Sequence, residues 1–139
     1  LKEFLAHKKR AFQDLGNSHY HKADDYTDIA YVVAKKVAEK PNANLGILVC
    51  GSGIGVCIAA NKVRDIRAGL ATSPLIAKKG REDDDMNILC LSSDVTKPVA
   101  AQKIISAWLG AKFAKKGRYV RRVKEIEEIE MKKFKPKIL

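Results

Sequence analysis

No apolar run in this 139-residue chain approaches the ~20 residues a helix needs to cross a bilayer, which excludes a membrane-spanning helix. The first residues lack the shape of a secretory signal, since Leu1-Lys2-Glu3-Phe4-Leu5-Ala6-His7-Lys8 reads as an amphipathic helix. Cysteine is scarce. Cys50, Cys57 and Cys90 make an odd number without metal-ligand spacing, which argues against a disulfide framework and for free thiols in a reducing compartment. Internal repeats and interdomain linkers are absent, so one domain with one core is expected over residues 1–131, followed by a basic tail at 132–139. With 46% hydrophobic and 31% charged residues, the composition is that of a folded globular protein and excludes low-complexity disorder.

What is present is an alternation of apolar runs. Leu45–Cys50, Ile66–Ala71 and Met86–Leu91 are short, nearly continuous apolar stretches that predict strands buried on both faces, and Ala11–Leu15 is a weaker candidate of the same kind. Helical spacing runs over Tyr26–Glu39, stopped before Pro41, over the Ala-rich Ile54–Val63, and over Val99–Leu109. A last helix is predicted at Gly117–Met131; its narrow apolar stripe of Val120, Val123, Ile126 and Ile129 suits packing against a second subunit. Strand–helix alternation predicts an α/β protein: a doubly wound, Rossmann-like three-layer α/β/α sandwich with a mainly parallel sheet in a single domain. In such sheets ligands bind beyond the carboxyl ends of the strands.

The loop Cys50-Gly51-Ser52-Gly53-Ile54-Gly55 stands at such an end. Glycines there let the main chain approach a ligand, and the N–H groups at the start of the following helix can hold a phosphate or an oxyanion. Cys50 beside this turn is a candidate base or nucleophile, and Ser52 a proton relay. The loop lacks the Gly-Lys-Ser/Thr ending of a P-loop and the acidic residue ~20 positions on that marks a dinucleotide site. Cys57 and Cys90, in apolar runs, read as buried. The polar cluster His19, Tyr20, His21, Asp24 and Asp25 reads as a solvated loop rather than a metal site, and Trp108 as a core or interface anchor.

The net charge is +11, and residues 112–139 hold 11 Lys/Arg against 4 Glu, which suits an anionic partner. A phosphorylated metabolite, a nucleic acid and a membrane surface all fit that charge. No nucleic-acid motif accompanies it, so nucleic acid is the weaker choice.

Leu45 to Gly55, then Ile58-Ala59-Ala60-Asn61-Lys62-Val63, resembles the ribose-5-phosphate isomerase B / galactose-6-phosphate isomerase family. The resemblance continues through Ile66-Arg67-Ala68, Asn87 to Leu91, Ala107-Trp108-Leu109 and Gly117-Arg118…Arg122-Val123, collinear over roughly residues 1–130. It implies a cytoplasmic aldose–ketose isomerase of phosphorylated sugars, dimeric or tetrameric, without metal or redox cofactor. By resemblance, Cys50 moves a proton between C1 and C2 through a cis-enediolate, and Ser52 relays protons. Main-chain N–H groups of Gly51, Gly53, Ile54 and Gly55 hold the enediolate oxygens, Tyr26 lines the sugar pocket, and Arg118 and Arg122 bind phosphate.

Five departures from the family pattern accompany these matches. A strand and an Asp-His loop are expected ahead of Leu1, because the chain starts inside the helix that follows them. Asp83 and Asp84 stand where ribose-type members carry a ring-opening His and an Asn. Asp94 replaces a basic residue, Tyr119 a His, and Thr27 a Pro. The departures keep two other readings open beside a ribose-5-phosphate isomerase: a galactose-6-phosphate isomerase subunit, or a sugar-phosphate-binding relative with impaired catalysis.

Overall fold

A computed structural model describes residues 1–19 and 22–136; Tyr20 and His21 of the polar loop and Lys137 of the tail lie outside it. Three strands, β1 (Gly46–Cys50), β2 (Ala68–Leu70) and β3 (Ile88–Ser92), form one parallel sheet in the order β1-β3-β2. The described residues also form six helices: α1 (Lys2–His7), α2 (Tyr26–Ala38), α3 (Ile54–Ala60), α4 (Pro74–Asp84), α5 (Pro98–Gly110) and α6 (Gly117–Glu130).

Central β3 is buried at all five positions because both of its neighbours and both of its faces are covered. Its side chains alternate between faces with the pleat. Ile88 and Cys90 join one core with Ala30, Val33 and Val37 of α2 and Val56 and Ala60 of α3. Leu89 and Leu91 join another with Ala77 of α4 and Ile104, Ile105 and Trp108 of α5. The layers are therefore α2 and α3, the sheet, and α4 and α5, which is the doubly wound sandwich that the alternation predicts. Trp108 is wholly buried and donates its indole N–H to Met86 O at 3.1 Å, a core anchor.

Two elements differ from the sequence reading. Helix α4 is not evident from periodicity, since only Ala77 on it is buried while Leu75 and Ile76 are exposed. Its start is nonetheless written locally: Ser73 accepts the Ile76 N–H at 3.3 Å as N-cap, and Pro74 occupies the first turn. The second difference is Ala11–Leu15, which is not a strand. The free edge of β1 and residues 10–17 face each other across a cavity of about 820 Å³, closed by Val33 and Val37 on one side and Trp108 on the other. A strand needs a ladder partner for its N–H and C=O groups, and across that space this segment has none.

Among the described residues no helix is long and apolar enough to cross a membrane.

Candidate active site

The chain leaves β1 at Cys50 and enters α3 at Ile54, so only Gly51-Ser52-Gly53 makes the turn. Gly53 is the helix N-cap and lies in the left-handed region at φ +77°. A Cβ there would sit 2.6 Å from Leu70 Cδ1 and 2.9 Å from the Leu91 carbonyl carbon, so glycine is required both by angle and by space. That tight turn folds the Gly53 N–H back onto Cys50, donating to Sγ at 3.2 Å. The next N–H, of Ile54, donates to Ser52 Oγ at 3.2 Å.

These two bonds change the expected division of labour. Of the loop N–H groups assigned to substrate oxygens, those of Gly53 and Ile54 are engaged inside the loop, on the candidate base and the candidate relay. They orient Cys50 and Ser52, and would hold a substrate oxygen only by exchanging partners.

The end of β3 braces the turn from the other side. Ser92 donates its hydroxyl to Gly51 O at 2.6 Å, Ser93 reaches Cys50 O through its N–H at 2.9 Å and its hydroxyl at 3.2 Å, and the Asp94 N–H donates to Gly51 O at 3.1 Å. Sequence reasoning did not single out Ser92 and Ser93. Their only signal is their place at the carboxyl end of the neighbouring strand, where ligand sites of parallel sheets collect. Tyr26, the first residue of α2, lies against the loop: a Cβ on Gly55 would meet its ring at 2.7 Å and its hydroxyl at 3.1 Å. Asp94 is exposed, with one carboxylate oxygen 3.1 Å from where a Cβ on Gly51 would stand, and no ion pair neutralises it among the described residues.

Arg118, Arg122, Asp83 and Asp84 form a second cluster, away from the loop. Arg118 donates to Tyr119 Oη at 2.9 Å and lies 4.9 Å from the centroid of that ring, so the residue replacing the family's His positions this arginine. Burial, followed by the adjacent charge of Asp83, raises the Asp84 carboxyl above its ordinary range, while Arg122 opposes the rise. Asp85 is separate from these; it pairs with Arg67 at 2.9 Å and with Arg81, and closes α4 in a left-handed turn.

The topology sets the two clusters at opposite ends of the sheet. Asp85 leads through Met86 and Asn87 into the start of β3, and Arg67 at the start of β2 binds it. Both ends of α6 belong to this end: Ala114 just before it donates to Glu82 O at 2.9 Å, and Glu130 at its close accepts the Asp65 N–H at 3.2 Å. Cys50 pairs with Ser92 at the other end. A five-residue strand at ~3.3 Å per residue lies between them. No group of three or more His, Cys, Asp or Glu among the described residues is arranged to hold a metal ion.

Comparison with known proteins gives a concordant picture. A family model described as Ribose/Galactose Isomerase matches residues 1–126. The chain is similar to the crystal structure of ribose-5-phosphate isomerase B from Mycoplasma genitalium with bound ribulose-5-phosphate. That likeness has a TM-score of 0.89 and 41% identity over 93% of this chain and 84% of that one. It is also similar to ribose-5-phosphate isomerase B from Clostridium thermocellum, with a TM-score of 0.87 and 39% identity over 94% and 86% of the two chains. Ribose-5-phosphate isomerase B of Escherichia coli is 40% identical over 109 residues, 78% of this chain and 72% of that protein.

Proposed function

The chain belongs to the ribose/galactose isomerase family, and from that premise we propose that it interconverts a phosphorylated aldose and ketose of the ribose 5-phosphate/ribulose 5-phosphate type, with Cys50 as acid and base. The observation that carries the role of Cys50 is its thiol at the carboxyl end of β1, held by the Gly53 N–H beside Ser52 and Tyr26. In the forward direction the Cys50 thiolate removes the proton from C2 of the open-chain aldose. The electrons pass into a cis-enediolate, and the thiol returns the proton to C1. Ser52 moves the hydroxyl proton between O2 and O1, so the reaction is redox-neutral overall and consumes no cofactor.

Arg118 and Arg122, one helical turn apart on the same face of α6, would clamp the phosphate. Because they stand a strand's length from Cys50 of the same chain, we assign them to the site of a second copy: one protomer gives the thiol loop, its partner the arginines. The likeness to ribose-5-phosphate isomerase B proteins favours the pentose phosphate. The carboxylates Asp83 and Asp94, unfavourable beside a phosphate dianion, are the observation that keeps the galactose-6-phosphate and binding-only readings in view. Three free thiols suit a reducing compartment, and we place the protein in the cytoplasm.

A coupled assay would offer ribose 5-phosphate, allose 6-phosphate and galactose 6-phosphate at matched concentrations to the wild type and to Cys50→Ala. The expected outcome is fastest turnover of ribose 5-phosphate, falling at least about a hundredfold in the variant, the lower scale of general acid–base catalysis. Undiminished turnover by Cys50→Ala would remove this thiol from the mechanism. Thermal stabilisation by the sugar phosphates without any turnover would identify a binding protein.

A further inference from the structure

Asn61 closes α3, and its side chain is heavily bonded for so exposed a position. The carboxamide donates to Cys57 O at 3.0 Å, one of the carbonyls that the end of a helix leaves without an N–H partner. It also donates to Ala68 O at 2.9 Å and accepts the Ala68 N–H at 2.9 Å. Both of its N–H donors and its carbonyl are thus spent on main chain.

Ala68 opens β2, which has β3 on one side only. Successive residues of a strand turn their N–H and C=O groups to opposite edges. Arg67 O accepts the Ile88 N–H at 3.3 Å and the Ala71 N–H donates to Cys90 O at 3.2 Å, so Ala68 faces the open edge. There the fork of Asn61 takes the place of a neighbouring strand. The other end of α3 rests on the same strand, since a Cβ on its N-cap Gly53 would stand 2.6 Å from Leu70 Cδ1. The helix has seven residues, about 10 Å, and a rod this short tilts as one piece. A shift of its last turn along β2 is therefore passed to Gly53, whose N–H donates to the Cys50 sulfur at 3.2 Å.

We propose that Asn61 is a positioning residue for the Cys50 loop: by locking the last turn of α3 to the open edge of β2, it fixes the aim of the Gly53 N–H on the Cys50 sulfur at the other end of the helix. Its consequence for turnover rests on the acid–base role proposed for Cys50. The exposed carboxamide lies outside the core around Val56 and Ala60, and water can solvate the Ala68 edge once the side chain is removed. Folding is therefore retained without it, and what is lost is alignment. A misplacement of about 1 Å costs up to ~100-fold in rate where reacting atoms must be aligned.

The test compares Asn61→Ala, Asn61→Asp and Asn44→Ala with the wild type, reading kcat and KM for ribose 5-phosphate and amide hydrogen exchange at Gly53 against Leu89 of central β3. Asn61→Ala should lower kcat about ten- to a hundredfold with KM changed by less than about twofold. Exchange at Gly53 should quicken more than at Leu89. Asn61→Asp keeps the acceptor but loses both donors, and should be impaired at least as much. Asn44→Ala removes a comparable surface bond, to Lys36 O at 2.8 Å ahead of β1, and should keep wild-type kcat. Unchanged kcat in Asn61→Ala, an equal loss in Asn44→Ala, or Gly53 exchange that moves only in step with Leu89 would each overturn the proposal. If the wild type is inactive, or Cys50→Ala turns over as fast, it is the isomerase reading that fails, and exchange at Gly53 then decides by itself whether Asn61 aims the turn.

Discussion

Gly53 shows how much a single residue carries here. At φ +77° an alanine would be strained whatever its surroundings, and its Cβ would also strike the Leu91 main chain, which cannot rotate away. Gly53→Ala should therefore cost roughly 1–3 kcal/mol in urea denaturation. It should also slow turnover, because the same turn aims an N–H at the Cys50 sulfur. Unchanged stability would mean that the loop relaxes freely and is no rigid cradle. Asp84 gives a second expectation at this scale. Its carboxyl is raised by burial and by Asp83 while Arg122 opposes the rise, and any charge that it carries competes with an anion for the arginines proposed to hold the phosphate. Asp84→Asn should tighten sugar-phosphate binding by about two- to fivefold, the scale of an exposed charge contact. Titration calorimetry would read this, and weaker binding would assign Asp84 a favourable contact with the substrate.

Helices and strands were legible in proportion to how much of each is buried. β3, α2 and α5 pack apolar faces into the two cores, so their periodicity predicts them. α4 buries almost only Ala77, and its outward Leu75 and Ile76 break the pattern; the Ser73-Pro74 start was the usable signal. Ser73→Ala should cost about 1 kcal/mol, measured as a shifted denaturation midpoint, and no shift would show that Pro74 alone sets the start. Ala11–Leu15 fails as a strand for the opposite reason, since its composition suits a sheet but no strand lies beside it among the described residues. Gly46 bonds toward β3, and the alternation of a parallel ladder turns Ile47 and Val49 toward the cavity.

At the scale of the whole molecule, the two halves of the candidate site face away from each other within one chain. If a partner supplies the arginines, two inactive proteins should rescue each other. Cys50→Ala mixed with Arg118→Ala/Arg122→Ala, after subunit exchange, should recover about a quarter of wild-type activity, because half of the random pairs carry one intact site of two. No recovery despite exchange, confirmed by mass spectrometry of the mixed dimers, would place the site within a single chain.

The sequence by itself determined the strand–helix alternation, the glycine turn after Cys50 and the membership of the family, because these depend on local spacing and on residue types that a turn or a buried face demands. Only the tertiary structure decided which residues meet. Parallel strands return the chain to the same end of the sheet each time, so Ser92, Ser93 and Asp94 join the loop from some forty residues away while Arg118 and Arg122 are carried to the far end. Cys90 of β3 and Val56 of α3 likewise share one core because the pleat turns alternate side chains of β3 toward that layer, and distance along the chain carries no trace of that geometry.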